Sequence, residues 1–220
     1  MATPPGRVRA VRPDALASET AERIAALAAG ADGGARIRVA VDGADAAEPW
    51  RLADALVDPL RTLGRPVLRA SARDFLQPAS QRYEFGRREP DSYLGRWLNT
   101  GALFREVFDP LEPGGSGLVL PALWDPATDR AVRADRVPLP PGGVLLLDGP
   151  LLLGRWFPLD LTVHLHLSPG ALARRTPEEE RWTLPAVACY ESETRPDDAA
   201  DLVVRADDPR RPAIVAADGD

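Results

Sequence analysis

Lysine is absent: all 27 basic residues of the 220-residue chain are arginine. Abundant Ala, Gly, Pro and Asp point to a GC-rich coding bias, which turns lysine into arginine on a surface. A lysine codon ending in G remains available, so bias does not account for losing a lysine that chemistry requires. Cysteine is nearly absent too. Cys189 stands alone, which excludes a disulfide within the chain and fits a reducing compartment. Long apolar runs are missing: VLLLDGPLLL is short and interrupted, and the start, MATPPGRVRAVRP, lacks the apolar core of a secretory signal. A soluble, cytoplasmic protein is expected, with no membrane partner. Positive charge is in deficit, and a net charge of -6 opposes nucleic acid as a general partner, because phosphate binding needs a basic field. A local basic pocket is still allowed.

What is present reads as one α/β domain spanning 1–220, with an N-terminal helix near 13–30 and a core near 36–215. DALASETAERIAALAA (14–29) sets Leu16, Ile24 and Leu27 among alanines and charges, an amphipathic helix that AGADGG ends. Arg36–Val41 reads as a strand, Pro49–Leu63 as a helix opened by proline, and PVLRAS (66–71) as a second strand, making one βαβ unit. Residues 72–99, rich in Arg, Tyr and Pro, read as an irregular arm. Thr100–Pro110 reads as a helix, EPGGSG as a turn, and the stretch up to PPGG as a β-ribbon excursion. GGVLLLDGPLLL (142–153) is the strongest strand, a continuous apolar run suited to a central parallel strand buried on both faces. LTVHLHLS (161–168) is another strand. Pro169–Arg175 follows as a short helix, Thr176–Glu193 as a helix interrupted near Pro185, and DLVVRADDP (201–209) as a last strand and turn. No internal repeat is visible. The fold expected is a doubly wound, mostly parallel sheet.

In VAVDGADAAEPWRLADAL (39–56) a β-branched run reaches Gly43 and a helix follows, as a nucleotide site needs. A working loop, GxxxxGK[ST], cradles phosphates with backbone N–H groups, places its lysine on the β and γ oxygens, and holds magnesium with the hydroxyl. Here Gly43 matches the first glycine and Ala44, Asp45, Ala46 and Ala47 fill the spacer. Glu48 then replaces the second glycine, Pro49 the lysine and Trp50 the hydroxyl. One carboxylate about 4 Å from a phosphate charge costs roughly 4 kcal/mol at an effective dielectric near 20. Proline brings neither cation nor N–H, and an indole cannot ligate a metal. Taken alone, GADAAEP also reads as a plain strand-to-helix turn.

The order of landmarks resembles the uridine kinase-like branch of the P-loop nucleoside kinases, in its compact bacterial form, over about residues 8–215. The resemblance rests on VAVDGADAA, ASARDFLQP, RYEFGRREPDSY, LFREVFDPLEPGG, VLLLDGPLLL and CYESETRPDDAADLVVRADDP, in that order. It implies a five-stranded parallel sheet flanked by helices, a short lid and a substrate arm. It also implies ATP and magnesium at the carboxyl edge, and transfer of the γ-phosphate to the 5′-hydroxyl of uridine, cytidine or a related small molecule. The phosphate loop would be a degenerate Walker A loop.

The family's base is the first aspartate of an Asp-Asp-Phe-like run. Here that run reads Arg73-Asp74-Phe75, so the base position holds an arginine, and Asp74 serves only if the loop shifts. Asp148, at the end of the central strand, matches a Walker B-like acid that organises magnesium through water, and Asp-Gly there is also a common turn. In the arm, Tyr83, Phe85 and Tyr93 either stack on a base or pack the arm. Arg88 stands where an acid grips sugar hydroxyls, unless the alignment slips by one to Glu89. Arg82, Arg87 and Arg88 form a basic cluster for an anionic ligand, or a solvated face. Arg174, Arg175 and Arg181 match lid arginines, with Glu178–Glu180 making the lid acidic. His164 and His166 face one side of their strand. A metal would need further ligands, and Cys189 is distant in sequence, so packing is expected.

Three functions follow. The first is a non-catalytic binding or regulatory module, a pseudokinase with a small-molecule or protein partner. The second is an active nucleoside kinase in which Arg51, Arg73 or Arg174 replaces the lysine, since arginine binds phosphate bidentately. The third is a nucleotide-independent protein whose vacated pocket takes another small molecule.

Overall fold

The computed structural model describes residues 8–30 and 34–215. The first seven residues, part of the AGADGG turn and the last five residues fall outside that range. Strand β1 (Val8–Ala10) precedes helix α1 (Pro13–Gly30), whose buried Leu16, Ala17, Thr20, Ala21, Ile24 and Ala28 form the stripe that an amphipathic helix lays on a sheet. Strand β2 (Ile37–Asp42) leads through one helical turn to α2 (Pro49–Ala55), α3 (Val57–Thr62) and β3 (Val67–Ser71). The helix expected at 49–63 is therefore two pieces. Pro59 has no N–H to give the Ala55 carbonyl, and the ladder breaks beside Leu56.

The arm at 72–99 is less irregular than expected: it carries α4 (Ala79–Arg82) and α5 (Pro90–Gly95). After α6 (Thr100–Leu103) the chain widens into a π turn, Phe104–Phe108. The expected ribbon excursion follows. In it β4 (Leu118–Val119) pairs with β7 (Val137–Pro138), and between them β5 (Trp124–Asp125) pairs with β6 (Arg130–Ala131). Strand β8 (Val144–Gly149) stops short of residue 153, because Pro150 cannot donate to the ladder and Leu151 turns to a φ of 60°. Next come β9 (Leu161–His166), α7 (Pro169–Arg175), α8 (Leu184–Glu193), α9 (Pro196–Ala199), β10 (Leu202–Arg205) and β11 (Ala213–Val215). The helical stretch expected at 176–193 changes near Pro185 as expected: a 3₁₀ stretch, Glu178–Thr183, runs up to α8, and Pro185 sits in the first turn of α8, where an N–H has no helical acceptor to lose.

The main sheet has the order β1-β11-β10-β9-β2-β8-β3. Five strands, β10 to β3 in that list, are parallel, and β11 and β1 extend one edge antiparallel. Side chains alternate between two cores. Val39, Val41, Val144 and Leu146 pack with α1 and α2, while Ala40, Leu145 and Leu147 face Phe75, Phe108 and Phe157 on the other side. Every residue of β8 is buried, as expected of a strand covered on both faces. Each fully buried leucine there contributes about 2 kcal/mol. The register pairs Val41 with Asp148 and Asp42 with Gly149, so two strand-end acids meet at the carboxyl edge. The order of connections reverses beside β2, where open α/β sheets bind ligands.

Candidate functional site

Two glycines set the geometry of this edge. A Cβ on Gly43 would lie 3.0 Å from the Leu165 Cβ, and one on Gly149 would lie 2.5 Å from the Ala72 Cβ. The loop after β2 is thereby seated against β9, and the end of β8 against the segment after β3.

The loop itself is closed by its own atoms. Asp45–Ala47 makes a single tight turn in which the Ala47 N–H donates to the Ala44 carbonyl at 2.7 Å and the Glu48 N–H to the Asp45 carbonyl at 3.0 Å. Two N–H groups of the segment are therefore used internally, and Pro49 has none. Glu48 holds the left-handed conformation, φ 57° and ψ 54°, which glycine adopts without steric cost. The backbone thus keeps a glycine's shape where the sequence has glutamate. Its carboxylate lies 2.8 Å from the Arg51 Nε and 3.4 Å from an Arg175 Nη. Arg175 also donates to the Ala206 carbonyl at 2.8 Å, whereas Arg174 points to solvent, exposed on α7. Arg181 pairs with Glu178 at 2.5 Å. Trp50 borders the open cleft above the loop together with Asp45, Ala46, Glu48, Arg73 and Arg175.

The segment after β3 meets this loop. Arg73 reaches Asp45 at 2.9 Å, and its guanidinium lies 5.5 Å from the Trp50 ring centre. Asp45 also accepts from the Tyr93 hydroxyl at 3.4 Å. Arg73 also lines a second cleft next to the loop, and Asp74 does not. Asp74 is half-buried, and burial, with Asp148 and Asp125 nearby, raises its pKa. Asp148 is 1% exposed. One of its oxygens is paired with Arg69, which also binds Asp54, and the other accepts from the Ser71 hydroxyl at 3.0 Å. Burial pushes the Asp148 carboxyl up, and Arg69 offsets this in part. A guanidinium therefore stands against the carboxylate expected to organise magnesium.

The second cleft encloses about 220 Å³ and has an aromatic wall. Tyr93 and Trp97 pack edge-to-face at 5.3 Å, Trp97 and Trp182 tilt together at 5.3 Å, and Tyr83 meets Trp97 from behind at 5.7 Å. Arg73, Arg82, Arg155 and Glu180 supply its polar rim. Of the expected arm residues, Tyr93 reaches the cleft, while Tyr83 packs under Arg82 and Arg87. Phe85 is exposed beneath Arg96. The basic cluster expected at Arg82, Arg87 and Arg88 does not form: Arg82 is 3% exposed and donates to the Gln77 carbonyl, and Arg87 and Arg88 face solvent. Glu89 caps α5 through the Ser92 N–H at 2.6 Å, which ties its carboxylate to the helix start.

Sequence reasoning missed Trp97 and Trp182, and also a buried unit beneath the loop. Asp42 is fully buried and accepts from the His164 Nδ1–H at 2.7 Å, the Tyr190 hydroxyl at 3.0 Å and the Leu152 N–H at 2.8 Å. Burial opposes charge on His164, but the hydrogen bond to Asp42, reinforced by Glu191, holds its pKa up at about 9. The signal available in sequence was an aspartate ending a strand directly after the apolar run Val39–Val41, since such a group needs a partner.

No family model matches the chain, and no curated protein matches it. Solved structures do. One described as a possible uridine kinase, from Bacillus stearothermophilus, superposes with a TM-score of 0.64 at 20% identity, covering 84% of this chain and 97% of the other. Another, named for a fructose transport system kinase from Silicibacter sp. TM1040, gives 0.59 at 22% identity, covering 86% and 95%. At such identities the likeness shows the fold alone: the chain shares with these structures a mostly parallel sheet flanked by helices. Among the described residues, no helix is long and apolar enough to cross a membrane.

Proposed function

We propose that the chain is a non-catalytic binding module on a nucleoside-kinase fold, a pseudokinase whose aromatic cleft takes a small ligand of the nucleoside class. The observation that carries this reading is the self-neutralised loop. Asp45 and Glu48 hold Arg73, Arg51 and Arg175, and the Ala47 and Glu48 N–H groups bond within the turn. The residues present do not fit magnesium–ATP: lysine is absent, Trp50 offers no metal ligand, and Asp148 is occupied by Arg69. Tyr93, Trp97 and Trp182 fit a flat ring, because every nucleobase has a face to stack. Calorimetric titration with uridine, cytidine and magnesium–ATP separately tests the reading. Heat with a nucleoside and none with ATP is expected; phosphate transfer to the nucleoside overturns it.

One arrangement favours the alternative of an active kinase. Arg73 and Arg175 border the same cleft as the loop, so rotation away from their carboxylates would turn two cations toward a phosphate. Turnover that Arg73→Ala abolishes would support that reading.

A further inference from the structure

His164 and His166 were expected only to pack, for want of further ligands; the fold supplies them. Glu191 comes from α8 and Asp197 from α9. His164 Nε2 lies 3.6 Å from a Glu191 oxygen and 3.8 Å from an Asp197 oxygen, and His166 Nδ1 lies 3.0 Å from the other Asp197 oxygen. Ligand atoms of His164, His166 and Glu191 all fall within 4.8 Å of one another. A tetrahedral ion with bonds of about 2.0–2.2 Å holds its ligands roughly 3.4 Å apart. The three measured pairs, at 3.0–3.8 Å, bracket that spacing, so small rotations of Glu191 and Asp197 would close the shell.

A second observation is independent of the spacing. His164 is 1% exposed, yet its Nε2 has no hydrogen-bond partner, the nearest carboxylate oxygens lying at 3.6 and 3.8 Å. A buried unpaired ring nitrogen is costly. On the opposite edge of the His164 ring, the Nδ1–H donates to Asp42, which Tyr190 also bonds. That bond fixes the ring with Nε2 directed toward Glu191 and Asp197, and a bound metal ion would displace the proton that Nε2 otherwise carries. A carboxylate behind a histidine is the usual second layer of a metal centre.

We propose that His164, His166, Glu191 and Asp197 form a structural zinc site joining β9 to α8 and α9. Two imidazoles and two carboxylates suit zinc better than magnesium or calcium, which prefer all-oxygen sets. Two neutral rings and two anions also balance the ion's charge. Four protein ligands close the shell, so the ion locks structure and activates no water. Glu191 and Asp197 are 37% and 46% exposed, which gives the ion an entry path. The site lies below the loop, in the wall where Ala44, His166 and Glu191 meet.

The test is zinc titration of the chelator-stripped full chain by calorimetry, with the visible spectrum of the cobalt-substituted protein as a second readout. One equivalent of zinc is expected, a raised melting temperature, and a tetrahedral cobalt spectrum. His166→Ala and Glu191→Gln, at partly exposed positions, should each weaken binding at least tenfold with unchanged circular dichroism. Absence of zinc binding by the wild type overturns the proposal. So does binding that His166→Ala and Glu191→Gln together leave intact, which would mark adventitious surface acids. An octahedral cobalt spectrum would also overturn it.

Discussion

The Arg73 guanidinium lies 2.9 Å from the Asp45 carboxylate, joining the end of β3 to the loop after β2. By family resemblance, a base and a bound phosphate would stand at these two places. Here a cation and an anion stand there instead, and each neutralises the other. The Arg73 side chain is half exposed, so the pair is worth under about 1 kcal/mol to stability. Its consequence lies in what it keeps from a ligand. Asp45→Ala should raise affinity for inorganic pyrophosphate about tenfold, or ~1.4 kcal/mol, with urea stability within about 1 kcal/mol of wild type. Unchanged pyrophosphate affinity would mean that Arg73 is not restrained by Asp45.

Glu48 gives a backbone test. Its left-handed conformation (φ 57°) costs an L-residue about 1 kcal/mol. Glu48→Gly and Glu48→Ala remove the same ion pairs with Arg51 and Arg175. The glycine variant should therefore be the more stable of the two by about 1 kcal/mol in urea unfolding. Equal stability would show that the loop relaxes out of the glycine-like shape.

Asp148 and Arg69 give a burial test. Removing one partner of a buried pair leaves an uncompensated charge, which costs about 3 kcal/mol. Arg69→Ala should destabilise the fold by that amount. Asp148→Asn in the same background should recover part of the loss, because a neutral amide is easier to bury. Chemical denaturation of the three proteins measures both effects.

The aromatic wall gives a ligand test. Trp182→Leu should lower nucleoside affinity by about 1–3 kcal/mol, the usual worth of stacking a base on an aromatic ring, while leaving stability nearly unchanged. Wild-type affinity in that variant would remove Trp182 from the binding surface.

The fold was legible where periodicity was strong. VLLLDG carries the continuous apolar run of a doubly covered strand, IRVAVD carries a shorter one after Arg38, and the central sheet follows from them. The antiparallel edge was not legible: β1 and β11 are three residues each, exposed or half-buried, with no pattern to read. The limits of helices turned on single prolines, Pro59 and Pro185, whose effect depends on register. The loop's substitutions at Glu48, Pro49 and Trp50 could be read directly, but not that the carboxylates would capture Arg51, Arg73 and Arg175. Trp97 and Trp182, like Asp42, His164 and Tyr190, lie far apart in the chain and meet only through tertiary packing.

The loop after β2 is closed by its own side chains, Asp45 on Arg73 and Glu48 on Arg51 and Arg175. The most direct measurement is calorimetric titration of magnesium–ATP into the native protein and into the variant Glu48→Gly, Pro49→Lys, Trp50→Thr. No heat is expected from the native protein, and saturable binding from the variant. Micromolar binding by the native protein would contradict it.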